Sequence, residues 1–284
     1  MESASFQGFD IAMHDPGIAL ITFNQPQTLN AFTHRCKRDL VETLTQIQMD
    51  DTVRVVVFTG EGKAFVAGDN ISASLPAHDP ARSRVGDIPR GHHNALGTYN
   101  GLRALSQPVN TAVRGLDKLT IAAINGFAIQ TGLSLALACD FRLASPAAKL
   151  GSATLRFGLL PDEGGQYLLV QHLGLARAMD FLMRNRIVSA AEAHELGLVH
   201  EIVAAERLVP QAIELARELA NGPQAAMRML KRSIYNAAEL TFGQALDEIA
   251  SKTAVTDHHA DALEGMQAFS EKRKPRFNRW LEQG

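Results

Sequence analysis

Apolar positions along this chain switch between short unbroken runs and stripes at helical spacing. Ile18-Ala19-Leu20-Ile21-Thr22-Phe23 is a run of branched and aromatic residues that predicts a strand, stopped by Asn24-Gln25-Pro26. Phe32, Cys36, Leu40, Leu44 and Ile47 then recur at the spacing of one helix face and predict an amphipathic helix. Val53 to Phe58 is almost continuously apolar, which predicts a strand covered on both sides. It leads into the turn-rich stretch Thr59 to Asn70. From about Ser72 to Asp117 the chain makes a long excursion. Its first part is rich in Pro, Ser, Asp and Arg and predicts a surface loop, while Asn94 to Val113 predicts one helix.

Leu119 to Ala123 reads as another buried strand, and Asn125-Gly126 as a turn. From Leu133 onward the residues are small and apolar on every side, which predicts a helix buried all round and starting near Thr131. Phe141-Arg142-Leu143-Ala144 predicts a short strand, and Pro161 to Gly165 a turn that opens a helix. Beyond Ala190 the pattern is all helix: Leu208, Ala212, Leu215, Ala216 and Leu219 share one stripe, which Asn221-Gly222-Pro223 ends, and further helices run through Ala268. The sum is an α/β core over residues 1–200 and a helical C-terminal region over residues 201–284.

Composition adds mainly exclusions. A chain of 284 residues with 46% apolar and 20% charged residues can bury a full core. A net charge of -2 gives no basis for nucleic acid or a membrane surface as partner. Cys36 and Cys139 both lie in apolar helical patterns, so reduced core thiols are expected rather than a disulfide. Met1 to Asp10 has no basic run followed by an apolar block, no apolar run is long enough to cross a bilayer, and Leu281 to Gly284 is not a peroxisomal address. The cytoplasm is therefore the default expectation.

The candidate chemistry begins where the strand ending near Ala123 gives way to the buried helix at Thr131. The first amides of a helix have no intrahelical acceptor and carry the positive end of its dipole. Aimed at a carbonyl that becomes negative during a reaction, they make half of an oxyanion hole. A tightly packed strand-to-helix joint accounts for the same pattern. His92-His93 sits in the excursion as a proton shuttle or, more simply, as two solvated side chains, and no Cys or carboxylate stands beside it at metal-ligand spacing. Asp140, at the end of the buried helix, reads as a structural anchor. Gly60-Glu61-Gly62 follows a strand, but the third glycine of a dinucleotide loop falls at Phe65. Lys272, Arg273 and Lys274 form a basic cluster suited either to phosphates or to solvent.

Four segments resemble the crotonase superfamily, the enoyl-CoA hydratase/isomerase family: Ile21 to Ala31 with Asn24, Pro26 and Asn30; Gly60 to Ile71 with Ala64-Phe65-Val66-Ala67-Gly68; Ala122 to Asp140; and Ala148 through Gly165. Glu264-Gly265, Phe269, Glu271-Lys272-Arg273 and Pro275 resemble that family's C-terminal helix. The resemblance implies a crotonase-like fold of repeated ββα units with a helical C-terminal trimerisation region, hence a homotrimer or a dimer of trimers. It implies an acyl-CoA substrate, in which coenzyme A is part of the substrate and no separate cofactor or metal is needed. It also implies two backbone NH donors to the thioester oxygen, here Asp69 and Thr131, with Ala64, Ala67, Gly68, Gly132, Ser134 and Thr154 around the substrate. Because amides do this work, the side chains can differ, and the Asp69 carboxylate is expected to point away from the developing charge.

The hydratases of that family use two glutamates, and the matching positions here are Ser134 and Thr154. Neither hydroxyl serves unaided as a general base near neutral pH. A carboxylate stands instead at Asp162, where the resemblance implies the acid of double-bond isomerases. One base that removes a proton from one carbon and returns it to another is enough for that reaction. Asp162 also fits an N-cap at that turn, and Glu163 is the reserve acid. The leading expectation is therefore enoyl-CoA isomerisation. The alternatives are a hydratase-like or hydrolytic member and a non-catalytic acyl-CoA binder.

Overall fold

The computed structural model describes residues 1–70, 79–84, 86 and 94–282. Strands β1 (Ala4–Ser5), β2 (Phe9–His14) and β3 (Ile18–Phe23) form an antiparallel meander. Helix α1 (His34–Met49) follows, capped by the Thr33 side chain accepting from the Cys36 amide. Strand β4 (Val55–Gly60) then lies parallel to β3, with Ile18 opposite Val55 and Phe23 opposite Gly60. The short β5 (Ala64–Val66) starts a second sheet.

The helix expected from Asn94 to Val113 runs as α2 (Ala95–Gly101), a widened turn over Leu102–Ser106, and α3 (Gln107–Gly115). Pro108 explains the widened turn, because it has no NH to give the carbonyl four residues back. That carbonyl, on Ala104, accepts instead from Arg38 Nη1 at 3.4 Å.

Next come β6 (Leu119–Ile124), β7 (Phe127–Ile129), α4 (Thr131–Ala138), β8 (Phe141–Ala144) and β9 (Lys149–Gly151). The chain continues through α5 (Gly165–Leu173), α6 (Leu175–Met183), β10 (Ile187–Ser189), α7 (Ala190–Glu195) and β11 (Glu201–Ile202). It closes with α8 (Leu208–Asn221), α9 (Gln224–Ala237), α10 (Phe242–Asp257) and α11 (Ala260–Ser270).

One sheet has the order β1-β2-β3-β4-β6-β8-β11 and the other β10-β9-β7-β5. The two-sided burial expected of Val53 to Phe58 is borne out in detail. Val56 and Phe58 join the core cluster that includes α1 and α4, whereas Val55 and Val57 face the cluster made by α8. The crotonase-like α/β fold expected from the resemblance is the fold observed.

The all-helical reading beyond Ala190 is corrected at β11, which lies parallel to β8 with Glu201 opposite Leu143. Two residues are too few to show a period, so only the neighbouring strand makes them a strand. β11 and α8 lie past residue 200 yet complete the main sheet and its second core cluster.

Asp140 is the anchor expected. Its carboxylate accepts from the Thr120 amide at 2.7 Å, from Lys231 Nζ at 2.8 Å and from the Tyr235 hydroxyl at 2.5 Å, tying β6 to α9. Cys36 and Cys139 are free and buried, and burial pushes both thiols up to about 12, which suits inert core residues. Among the described residues no helix is long and apolar enough to cross a membrane.

Candidate active site

The site grows from the turn that follows β5. Gly68 has φ +112°, a conformation that disfavours any side chain. The Phe32 amide donates to the Gly68 carbonyl at 2.9 Å, and the Asn70 amide donates to the Phe32 carbonyl at 2.9 Å. Phe32 and Asp69 thereby form an isolated parallel bridge. In such a bridge the residues flanking Asp69 make the bonds, so the Asp69 NH faces the opposite side. Asn30 braces the approach, its amide group donating to the Ala64 carbonyl at 2.7 Å and the Glu61 carbonyl at 3.0 Å.

The second wall is the start of α4. Thr131 is its first residue, where the helix provides no acceptor for the NH. Gln130 precedes it at φ +51°, an uncommon conformation for a residue other than glycine. The Gln130 amide donates to the Gly151 carbonyl at 2.9 Å, and its side-chain oxygen accepts from the Ser152 hydroxyl at 2.9 Å, which holds the cap in place. Strain of this kind is of order 1–3 kcal/mol and persists only where surrounding bonds impose it.

The two walls touch. The Thr131 hydroxyl donates to Asp69 Oδ1 at 2.9 Å, so the residues expected to supply the paired amides are neighbours in space. Gly132 makes this approach possible, since a Cβ there would lie 1.9 Å from the Val66 carbonyl oxygen. Gly132→Ala must push α4 away from β5. A displacement of about 1 Å in a reacting geometry lowers rate by roughly a hundredfold, and that loss in kcat/KM is expected here. A variant that folds and turns over normally would show the helix start free to move.

Of the other residues expected around a substrate, Ala64 is fully buried in β5 and Ala67 is half-buried in the turn after it. Ser134 is buried on α4, its hydroxyl facing Gly165 of α5. Thr154 is half-buried, its hydroxyl 3.4 Å from that of Ser152. His92 and His93 lie outside the described residues.

The acidic turn divides its two side chains. Asp162 is exposed, and its carbonyl accepts from Gln107 Nε2 at 3.1 Å. Glu163 is sealed inside, its side chain 2% exposed, with its carbonyl held by Asn110 Nδ2 at 2.8 Å. Lys37 Nζ meets Glu163 Oε1 at 2.7 Å and Asp69 Oδ2 at 2.7 Å. Both Asp69 oxygens are therefore engaged, one by Lys37 and one by Thr131. Burial pushes the Glu163 carboxyl up to about 7, against the opposing pull of the Lys37 charge. Lys37 is the residue the sequence pattern passed over. It falls on the buried face of α1 with Leu40, Leu44 and Ile47, and a lysine within an apolar stripe is the signal that could have marked it.

A profile described as Enoyl-CoA hydratase/isomerase matches residues 14–280. The chain belongs to the enoyl-CoA hydratase/isomerase family. One family relative, the 1,2-epoxyphenylacetyl-CoA isomerase of Escherichia coli K12, is 33% identical over 269 residues, spanning 95% of this chain and 98% of that protein. The crotonyl-CoA hydratase of Syntrophomonas wolfei is 30% identical over 261 residues, spanning 92% of this chain and 94% of that one. The crystal structure of an enoyl-CoA hydratase from Bacillus anthracis matches with a TM-score of 0.84 at 32% identity, covering 95% of this chain and 99% of the other. The family thus contains both isomerases and hydratases among this chain's relatives.

Proposed function

We propose that this enoyl-CoA hydratase/isomerase family member shifts the double bond of an enoyl-CoA ester through an enolate. The observation that carries the reading is the contact between Asp69 and Thr131, which brings together two residues whose peptide NH groups are turned away from the sheet ladder and the helix. Two such donors on a thioester oxygen stabilise the negative charge that forms there when a neighbouring carbon loses a proton. In the forward sense, a carboxylate takes the C2 proton of a 3-enoyl ester, the dienolate is held by the amides, and the same proton returns to C4. Nothing is added or lost.

Asp162 is the acid assigned to that transfer. A group that meets substrate must be reachable, and in the turn beside the site Asp162 is exposed whereas Glu163 is sealed. Hydration is disfavoured because the two positions that match the hydratase glutamates hold Ser134 and Thr154, and the Asp69 carboxylate is tied up by Lys37 and Thr131. The assembly proposed is a homotrimer or a dimer of trimers. In support, α9 to α11 carry exposed apolar residues such as Ile234, Phe242, Ile249 and Phe269, and α10 has no buried residue. A panel of 2-enoyl, 3-enoyl and saturated acyl-CoA esters, followed by mass spectrometry and NMR, tests the reaction. Bond migration at unchanged mass is the expected result. A product heavier by one water establishes a hydratase, free coenzyme A a hydrolase, and binding without product an acyl-CoA carrier.

A further inference from the structure

Behind the paired amides lies a buried charge cluster that bond migration by Asp162 does not use. Lys37 Nζ donates to Asp69 Oδ2 at 2.7 Å, to Glu163 Oε1 at 2.7 Å and to Ser106 Oγ at 2.8 Å. Those three bonds exhaust the ammonium hydrogens. Glu163 Oε2 is buried without a hydrogen-bond partner. The side chains of Lys37 and Glu163 are 0% and 2% exposed, and that of Asp69 is 42% exposed. One cation thus faces two acids. With both acids ionised, the unit carries a net negative charge next to the amides that must receive an enolate oxygen. With a proton on Oε2 it is neutral.

We propose that Lys37 and Glu163 are positioning residues of the oxyanion site, Lys37 pinning the Asp69 carboxylate and Glu163 keeping the unit neutral by holding a proton on Oε2. The inference rests on the enolate reading above. It explains how an aspartate can stand where an amide receives negative charge. The carboxylate is tied on both oxygens, and the countercharge is not divided with a second anion. An unpartnered buried oxygen is also the natural place for the proton, since a bare carboxylate oxygen inside protein is costly. Burial raises the Glu163 carboxyl to about 7, in keeping with this placement. The groups facing Glu163 are Lys37 from α1, Asp69 from the turn after β5, and the Thr131 hydroxyl from α4. Asp162 adjoins it in the chain. Arg114 and Tyr167 stand across a cavity of about 270 Å³ between α3 and α5.

The test compares wild type with Glu163→Gln, an uncharged counterpart of the protonated acid. Wild-type kcat/KM for the enoyl ester is expected to fall at least about tenfold from pH 7 to pH 9, as a group required in its protonated form ionises. In Glu163→Gln that ratio should shrink to about twofold or less, whatever the absolute rate. An alkaline fall of equal size in both proteins overturns the proposal. Infrared difference spectra give a readout that needs no turnover. A protonated carboxyl C=O band present at pH 6, lost by pH 9 and missing from Glu163→Gln supports it, and the lack of such a band at pH 6 overturns it. A wild type inactive on every ester would refute the enolate reading, while the infrared titration would still decide where the proton sits.

Discussion

Asp162→Asn is expected to abolish bond migration, with kcat down by roughly a thousandfold while the ester still binds. Asparagine keeps the shape and polarity of the side chain but cannot accept the C2 proton. The structural disturbance should be small, because the side chain is exposed and the main chain of the turn is held separately by Gln107 and Asn110. The loss should therefore fall on kcat rather than on affinity, since the amides of Asp69 and Thr131 remain. Affinity for a saturated acyl-CoA ester, measured by calorimetry, should stay within about threefold of wild type. A variant with near-normal kcat would remove Asp162 from the chemistry.

Lys37→Met is expected to be the most damaging single change to stability, at about 3–5 kcal/mol near pH 8. Methionine fills the volume but leaves Glu163 sealed without its cation and Asp69 without one of its two partners. The loss should shrink in acid, and the sign follows from Glu163. Its folded-state value is raised above the ordinary 4.5 to about 7, so the folded protein binds more protons than the unfolded chain between those values. Stability therefore falls as pH rises through that window, in wild type already and over a longer range once the lysine is gone. At pH 5 the folded variant holds that proton and its sealed carboxyl is neutral, so the penalty should be no more than about half as large. Thermal melts should show a midpoint lower by roughly 6–15 °C at pH 8 and a smaller gap at pH 5. An equal gap at both values would mean that lost packing, not an uncompensated carboxylate, sets the cost. Adding Glu163→Gln to Lys37→Met should recover much of the loss at pH 8, because the double variant has no buried acid left to leave unpaired.

Much of this architecture could be read from local pattern. The unbroken apolar run at Val53 to Phe58 announces a strand with two buried sides, and alternate residues do enter different core clusters. The small apolar residues after Thr131 announce a helix with no solvent face, and every residue of α4 is buried. What local pattern missed was mostly short, the six-residue β2 being the exception. β11 has two residues and β10 three, and each is a strand only because β8 or β9 offers it a ladder. The widened turn at Leu102–Ser106 was equally hidden, although Pro108 marks its cause.

The sequence by itself determined the local elements of the site, a turn with a glycine at Gly68 and a buried helix starting at Thr131, which a few neighbouring residues suffice to specify. The choice of Asp69 came from the family resemblance alone, and its orientation is set by the bridge to Phe32 and the close approach of α4 at Gly132. Which acid is reachable, and what stands behind the amides, was decided only by tertiary structure. Asp162 and Glu163 are adjacent in the chain and chemically alike, and nothing in their local pattern says which one turns inward. Lys37 and Glu163 are separated by 126 positions, so their pairing exists only once α1 and the turn before α5 are packed against the same core. Burial and charge pairing belong to the assembled interior, and it is that interior which raises the Glu163 carboxyl from the ordinary glutamate range to about 7.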